Sequence, residues 1–249
     1  MSSDKLPHEF YLQDTVTVAR ALLGCVLWRR IGRELLAARL VEVEAYLGAN
    51  DMASHARRGL RSARNESMYL GGGHAYVYFT YGMHWCMNVV TQEADIAEAV
   101  LLRAAEPVQG IESMRARRPK AKRDVDLMNG PGKLCSALAI DRALDGEPLD
   151  GKRMWITAGD LEVDEDDIAV SSRIGIDNSG DAAHWPLRFY LRGNVYVGRS
   201  AAVPAAGAAA ATSGPGSSTR WTARRTTCST SRSGRSRSAC CAAARSWRG

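Results

Sequence analysis

Between Ala75 and Val90 apolar and polar positions alternate, break at Tyr81-Gly82, and resume: "AYVYFT", then "YG", then "MHWCMNVV". A period of two on both sides of a glycine-containing break predicts a β-hairpin, with glycine supplying the positive φ of a tight turn. The tip is unusual. Soluble hairpins place small polar residues there, whereas here Tyr78 and Tyr81 flank the turn.

The same reading assigns the rest of the chain. "DTVTVARALLG" carries apolar residues at helical spacing, with Asp14 as N-cap and Gly24 as stop. "CVLWRRI", Gly32 and "ELLAARLVEVEAYLG" predict two strands around a turn. In the second, Leu40, Glu42 and Glu44 share one face, and Val41, Val43 and Ala45 the other. "NDMASHARRGLRSARNESMYLGGG" reads as a polar loop with one short helix. The strand "AEAVLLRAAEP" and the helices "QGIESMRAR" and "KLCSALAI" follow, then strand candidates "RMWITAG", "IAVSSRIGI" and "PLRFYLRG". Helices and strands mix without a regular βαβ rhythm, which predicts an α+β fold with a mostly antiparallel sheet.

The pattern stops near Ala201. From there "AAVPAAGAAAATSGPG…" is low-complexity Ala, Ser, Arg, Gly and Thr with almost no core-forming residues. Such a segment cannot repay its ordering entropy and is expected to be disordered. It reads either as a basic nucleic-acid-binding tail or as functionless sequence translated out of frame. The expected division is therefore a folded domain over 1–200 and a tail over 201–249.

Charge changes meaning with that boundary. The 249-residue chain has a formal net charge of +6 and a pI near 9.1. Eight arginines and no acid lie after Ala201, so 25 of the 33 basic side chains and all 27 acidic ones precede it, a net of −2. An anionic partner must be argued from local patches: "RRGLRSAR", with Arg57, Arg58, Arg61 and Arg64, and "RARRPKAKR", with six positive charges. Cys25, Cys86 and Cys135 sit in apolar contexts and the six cysteines form no CxxC pair. With no apolar leader and no run of 18 apolar residues, an intracellular, reducing location and no membrane association are expected.

Chemistry narrows next. The histidines at 8, 55, 74, 84 and 184 lack HxxxH or HExxH spacing, so no metal is expected. "YLGGGHAYV" precedes a strand rather than a helix, hence a turn and not a phosphate cradle. Glu44, near the end of an apolar strand and beside Tyr46, reads either as a general base whose pKa rises with desolvation or as a solvated edge glutamate. Tyr46, His55, Tyr76, Tyr78, Tyr81 and Trp85 are too many polar-tipped rings for a core. Together with one carboxylate they fit a pocket for a flat heteroaromatic ring, and a tip tyrosine fits a wedge entering a duplex. Beside such a pocket, the arginine patches read as phosphate contacts.

"VEVEAYLG" with His55 downstream, "YVYFTYGMHWCMN", "VLLRAAEP", "NGPGKLCSALAI" and "PLRFYLRG" together resemble the alkyladenine (3-methyladenine) DNA glycosylases, in order and spacing, over Leu22 to Val197. The resemblance implies a single compact domain with a curved antiparallel sheet, surrounding helices, and a protruding hairpin that enters the DNA minor groove. It implies no cofactor, a monomer, and damaged double-stranded DNA as partner. It assigns Glu44 as general base, Arg103 as holder of the attacking water, and Tyr46, His55 and Tyr78 as walls of the base pocket. Asn88 disfavours the amino group of normal guanine, and Tyr81 is the wedge. Met83, Arg61, Arg64 and Lys133 are expected at the DNA backbone. The implied activity is hydrolytic release of alkylated or deaminated purines, leaving an abasic site. The competing readings are a non-catalytic binder of distorted duplex and a small-molecule nucleoside hydrolase.

Overall fold

An apolar run, Leu35 to Ala38, followed by alternation of Val and Ala with Glu over 41–45, makes residues 34–46 the central strand of the protein. The structure, a computed structural model, describes residues 4–198; the expected tail lies outside the described residues. In chain order the elements are α1 (His8–Tyr11), α2 (Thr15–Ala21), β1 (Val26–Ile31), β2 (Glu34–Tyr46), β3 (Ala75–Thr80), β4 (His84–Thr91), β5 (Glu98–Gln109), α3 (Ile111–Arg117), α4 (Pro131–Ala137), β6 (Met154–Thr157), β7 (Ile168–Ser171) and β8 (Arg188–Leu191). Every predicted strand is present, and so is every predicted helix but one. The polar stretch between β2 and β3 holds three short 3₁₀ turns rather than one helix, because its Gly, Ser and Asn residues favour local turns.

All eight strands form one antiparallel sheet in the order β3-β4-β5-β2-β1-β6, with β8 joining β2 and β7 joining β8. One edge of β2 is shared end to end: Glu34 to Arg39 pair with β1, and Glu42 to Glu44 pair with β8. The opposite edge pairs with β5 through three register irregularities. Two of these leave Val41 and Arg103 without a Cα partner in the ladder. Bulges sharpen local twist and re-aim side chains, and they curl the sheet here beside its most charged stretch.

Directly opposed residues share a face. One such row crosses five strands: Tyr76, Asn88, Leu101, Glu44 and Arg188. The neighbouring row, Ala75, Val89, Val100 and Ala45, faces the other way. That second face is the core, where Val77, Met87, Val43 and Leu102 meet Val18 and Leu22 of the α2 region and Leu134 and Cys135 of α4. Burying each large aliphatic side chain there is worth about 1.5–3 kcal/mol. One sheet face thus stabilises the fold, which leaves the polar face free to carry chemistry.

Two local devices complete the frame. Asp14 caps α2 through its Oδ1 on the Thr17 amide, 3.0 Å away, as its sequence position predicts. Gly132 in α4 lets the helix approach the hairpin, since a Cβ there would lie 2.9 Å from His84 Cβ. Among the described residues no helix is long and apolar enough to cross a membrane.

Candidate functional site

The polar face of the sheet lines a cleft of about 1110 Å³. Tyr46, His55, Tyr78 and Asn88 meet there, with Arg103, Tyr81, Met83 and Lys133 further along its walls. Eight residues scattered over 88 positions of sequence therefore share one concavity because β2, the 47–56 segment, β3, β4, β5 and α4 converge on it.

Glu44 sits behind this lining with 0% exposure, so the solvated-edge reading does not hold. Its Oε1 accepts the Ile174 amide at 2.8 Å and lies 3.2 Å from Arg103 Nη1. Its Oε2 accepts the Tyr46 hydroxyl at 3.0 Å. Burial pushes the Glu44 carboxyl up, opposed by the Arg103 charge and by hydrogen bonds from Ile174 and Tyr46, and assisted by Glu42. Desolvation wins, which leaves a carboxyl above the ordinary range. For Arg103, burial acts against the charged form, but Glu44 and Glu42 outweigh it and hold the guanidinium charged.

A second carboxylate escaped the sequence reading as a site residue. Glu42 is buried, and its Oε1 accepts Arg103 Nε at 2.9 Å and Arg188 Nε at 2.8 Å. Its Oε2 accepts the Gly198 amide at 2.8 Å. Glu42 fixes the Arg103 fork from behind, so Nη1 is aimed at Glu44. The available signal was the shared face of Glu42 and Glu44; the partner Arg188 lies 146 residues away.

The ring wall is tightly ordered. Tyr76 and Tyr78 stack at 5.2 Å between centroids, and His55 meets Tyr78 edge-on at 4.6 Å. His55 Nδ1 is hydrogen-bonded to the Tyr76 hydroxyl at 2.7 Å. Burial, with the Arg64 and Arg57 charges, pushes the His55 pKa down to about 4, so the imidazole is neutral at neutral pH. Burial also raises the Tyr46 and Tyr78 hydroxyls well above their usual value, keeping them protonated donors. Asn88 is buried, with its Nδ2 on the Tyr76 carbonyl at 3.3 Å.

The hairpin tip answers differently. Tyr81 is 79% exposed and Met83 69%. Tyr81 and Gly82 both have positive φ, 51° and 65°, with the Met83 amide closing on the Thr80 carbonyl at 3.1 Å. That turn favours Asn-Gly, and a bulky residue in the left-handed region costs roughly 1–2 kcal/mol. The fold gains nothing visible from the ring.

The basic patches are partly spent on the protein itself. Arg61 pairs with Glu66 and Asp95. In the second patch Arg115 pairs with Glu112 and Asp124, Arg117 with Glu34, and Arg123 with Asp126. Arg64 is exposed and donates to the Phe79 carbonyl at 3.2 Å, while Lys133 donates to Asn129 Oδ1 at 2.7 Å. Among the described residues no three His, Cys, Asp or Glu side chains cluster to hold a metal ion.

Comparison with known proteins places this geometry in a family. The model of the methylpurine-DNA glycosylases matches residues 9–195. A Carboxydothermus hydrogenoformans protein named as a 3-methyladenine DNA glycosylase is 49% identical over 195 residues, covering 78% of this chain and 98% of its own. One from Bdellovibrio bacteriovorus with the same name is 45% identical over 196 residues, with the same coverage. The human DNA-3-methyladenine glycosylase is 43% identical over 204 residues, 78% of this chain and 67% of its own. A buried carboxylate held by an arginine beneath an aromatic cleft, with a tyrosine-tipped hairpin at its mouth, is thus built on a sequence that matches these proteins along nearly all of its described length: the chain belongs to the methylpurine-DNA glycosylase family.

Proposed function

We propose that this protein excises alkylated purines from duplex DNA with Glu44 as the general base. The observation that carries the reading is a fully buried carboxylate with a raised pKa, ion-paired to Arg103 under a wall of rings. Oε1 already faces two donors, Ile174 N–H and Arg103, whereas among the described residues Oε2 accepts only from Tyr46. The spare lone pair on Oε2 is therefore the proton acceptor. Because Glu44 has no exposed surface, water reaches it through a small displacement of Tyr46 and Arg103, both of which line the cleft.

The step is an inverting hydrolysis at the sugar's anomeric carbon. Water oxygen bonds to that carbon as the glycosidic C–N bond breaks. The bonding pair goes to the purine, and Glu44 takes a proton from the water. A cationic alkylated purine leaves neutral and needs no acid, whereas a neutral one such as ethenoadenine leaves as the anion and takes its proton from solvent. The neutral His55 does not repel that cation, and the faces of Tyr46 and Tyr78 attract it by about 1–2 kcal/mol once desolvated. Asn88 selects against the guanine amino group.

Tyr81 serves as the wedge that fills the stack vacated by the extruded nucleotide. Arg64, Lys133 and Met83 flank the cleft mouth as backbone contacts, and Arg61 joins them by exchanging its partners Glu66 and Asp95 for phosphate. The catalytic unit is residues 1–200, so truncation after Ser200 should leave activity on a short duplex largely unchanged at moderate salt.

The test uses the wild-type protein and a duplex carrying one ethenoadenine or 7-methylguanine, followed by alkali. Strand scission at the lesion supports the enzyme. A mobility shift without scission would favour a non-catalytic binder, and release from free nucleosides alone would favour a nucleoside hydrolase.

A further inference from the structure

Asp51 and Arg173 lie 122 residues apart and form an ion pair with no exposed side-chain surface. Arg173 Nη1 reaches the Asp51 carboxylate and the Ala45 carbonyl at 2.9 Å. Its Nη2 reaches Asp51 Oδ1 at 2.8 Å and the Ala182 carbonyl at 3.1 Å. Asp51 in turn accepts the Leu47 amide at 3.1 Å and the Ala53 amide at 3.0 Å. One ion pair therefore joins the end of β2, the turn leading to His55, and the segment entering 174–182.

Stability does not explain this pair. A buried ion pair is about neutral against an apolar replacement of the same volume, and Arg173 Nε finds no acceptor among the described residues. What the pair fixes is geometry around Glu44. The residue after Arg173 is Ile174, whose amide holds Glu44 Oε1. The Arg173 guanidinium lies 4.6 Å from the centroid of the Tyr46 ring, whose hydroxyl holds Glu44 Oε2. Both oxygens of the base are thus held by groups that Arg173 seats directly.

We infer that the Asp51–Arg173 pair is a positioning device for the general base, setting the two donors that orient the Glu44 carboxylate and the turn that presents His55; this rests on the assignment of Glu44 above. Neither residue lines the cleft, so neither touches substrate. Other ionisable groups face Glu44: Arg103 on β5, Glu42 and Tyr46 on its own strand, Arg188 opposite it on β8, and Cys86 on β4. None of them is bonded to Asp51.

The test is single-turnover excision from an ethenoadenine duplex across pH, with Asp51→Asn, Arg173→Lys and Glu44→Gln in parallel. Loosening the Ile174 and Tyr46 donors removes two interactions that favour the Glu44 carboxylate. The acid limb of the rate profile should therefore move to higher pH in Asp51→Asn, with the plateau rate down about tenfold to a hundredfold and lesion-duplex affinity within about threefold. Arg173→Lys keeps the buried charges balanced but offers one nitrogen in place of the two that reach the Ala45 and Ala182 carbonyls, and it should shift the limb in the same direction by less. A purely structural pair would lower the fraction of active enzyme while leaving rate and acid limb at wild-type values, and that result overturns the inference. Glu44→Gln separates the two failures: wild-type excision by that variant removes the base assignment itself. An inactive Glu44→Gln beside unshifted Asp51→Asn and Arg173→Lys removes only the positioning role.

Discussion

Arg103 Nη1 stands 3.2 Å from Glu44 Oε1, and the same guanidinium is anchored through Nε, 2.9 Å from Glu42 Oε1. One cation is shared by two buried carboxylates, with Arg188 supplying the second positive charge at Glu42. The arrangement keeps Glu44 ionisable in a site where burial alone would protonate it.

Replacing Arg103 by Gln should therefore raise the Glu44 pKa further. The base works deprotonated, so its activity is lost as pH falls through that value, and a higher pKa moves the loss to higher pH. Removing an adjacent opposite charge is worth about 1–3 pH units. The pH dependence of single-turnover excision measures this directly. An acid limb that stays at its wild-type position would mean Arg103 does not govern the base.

Glu44 should also be a stability liability. Its folded-state pKa lies above the ordinary carboxylate value, so the folded protein binds this proton more tightly than the unfolded chain. Its contribution is favourable at acid pH and is lost as pH rises through the raised value. Glu44→Gln should melt higher than wild type at alkaline pH, with the gain shrinking as pH falls toward the ordinary carboxylate range. Thermal melts across that range check it. A variant less stable than wild type by one constant margin would show that the carboxylate is net stabilised where it sits.

Tyr81 carries the opposite trade. Tyr81→Asn relieves a left-handed tyrosine, which should gain up to about 1 kcal/mol of stability, while losing the wedge. Excision should fall most for lesions in stable pairs and least for mismatched ones, whose extrusion costs less. Ethenoadenine fluorescence on mixing reports the flipped population. Wild-type flipping in this variant would reduce Tyr81 to hairpin packing.

Much of this was legible in the sequence because the local signals are strong. The strands alternate or run apolar, Asp14 caps its helix, and Tyr81 is out of place at a hairpin tip on any reading; Tyr78, expected to flank the turn, lies within β3 opposite Cys86. The α+β sheet and the residues meeting in the cleft follow from those patterns and from the family resemblance. Charge pairing was not legible. Glu42 finds Arg188, Asp51 finds Arg173, and Arg117 finds Glu34 across distances of 146, 122 and 83 residues. No local period encodes such pairs, so a basic run such as "RARRPKAKR" reads as free charge until the acids facing it are placed. The alternation in β2 misleads in a related way: it suggests one solvated face, whereas Glu42 and Glu44 are both buried beneath the cleft.

The most direct measurement of the central claim is single-turnover base release by Glu44→Gln, alongside its affinity for the same lesion duplex. Glutamine keeps the side chain's shape and one acceptor oxygen but cannot take the water's proton. Base release should fall by about 10²–10⁴ or more, with affinity close to wild type because Glu44 offers no surface to the cleft. Near-wild-type release by this variant would contradict it.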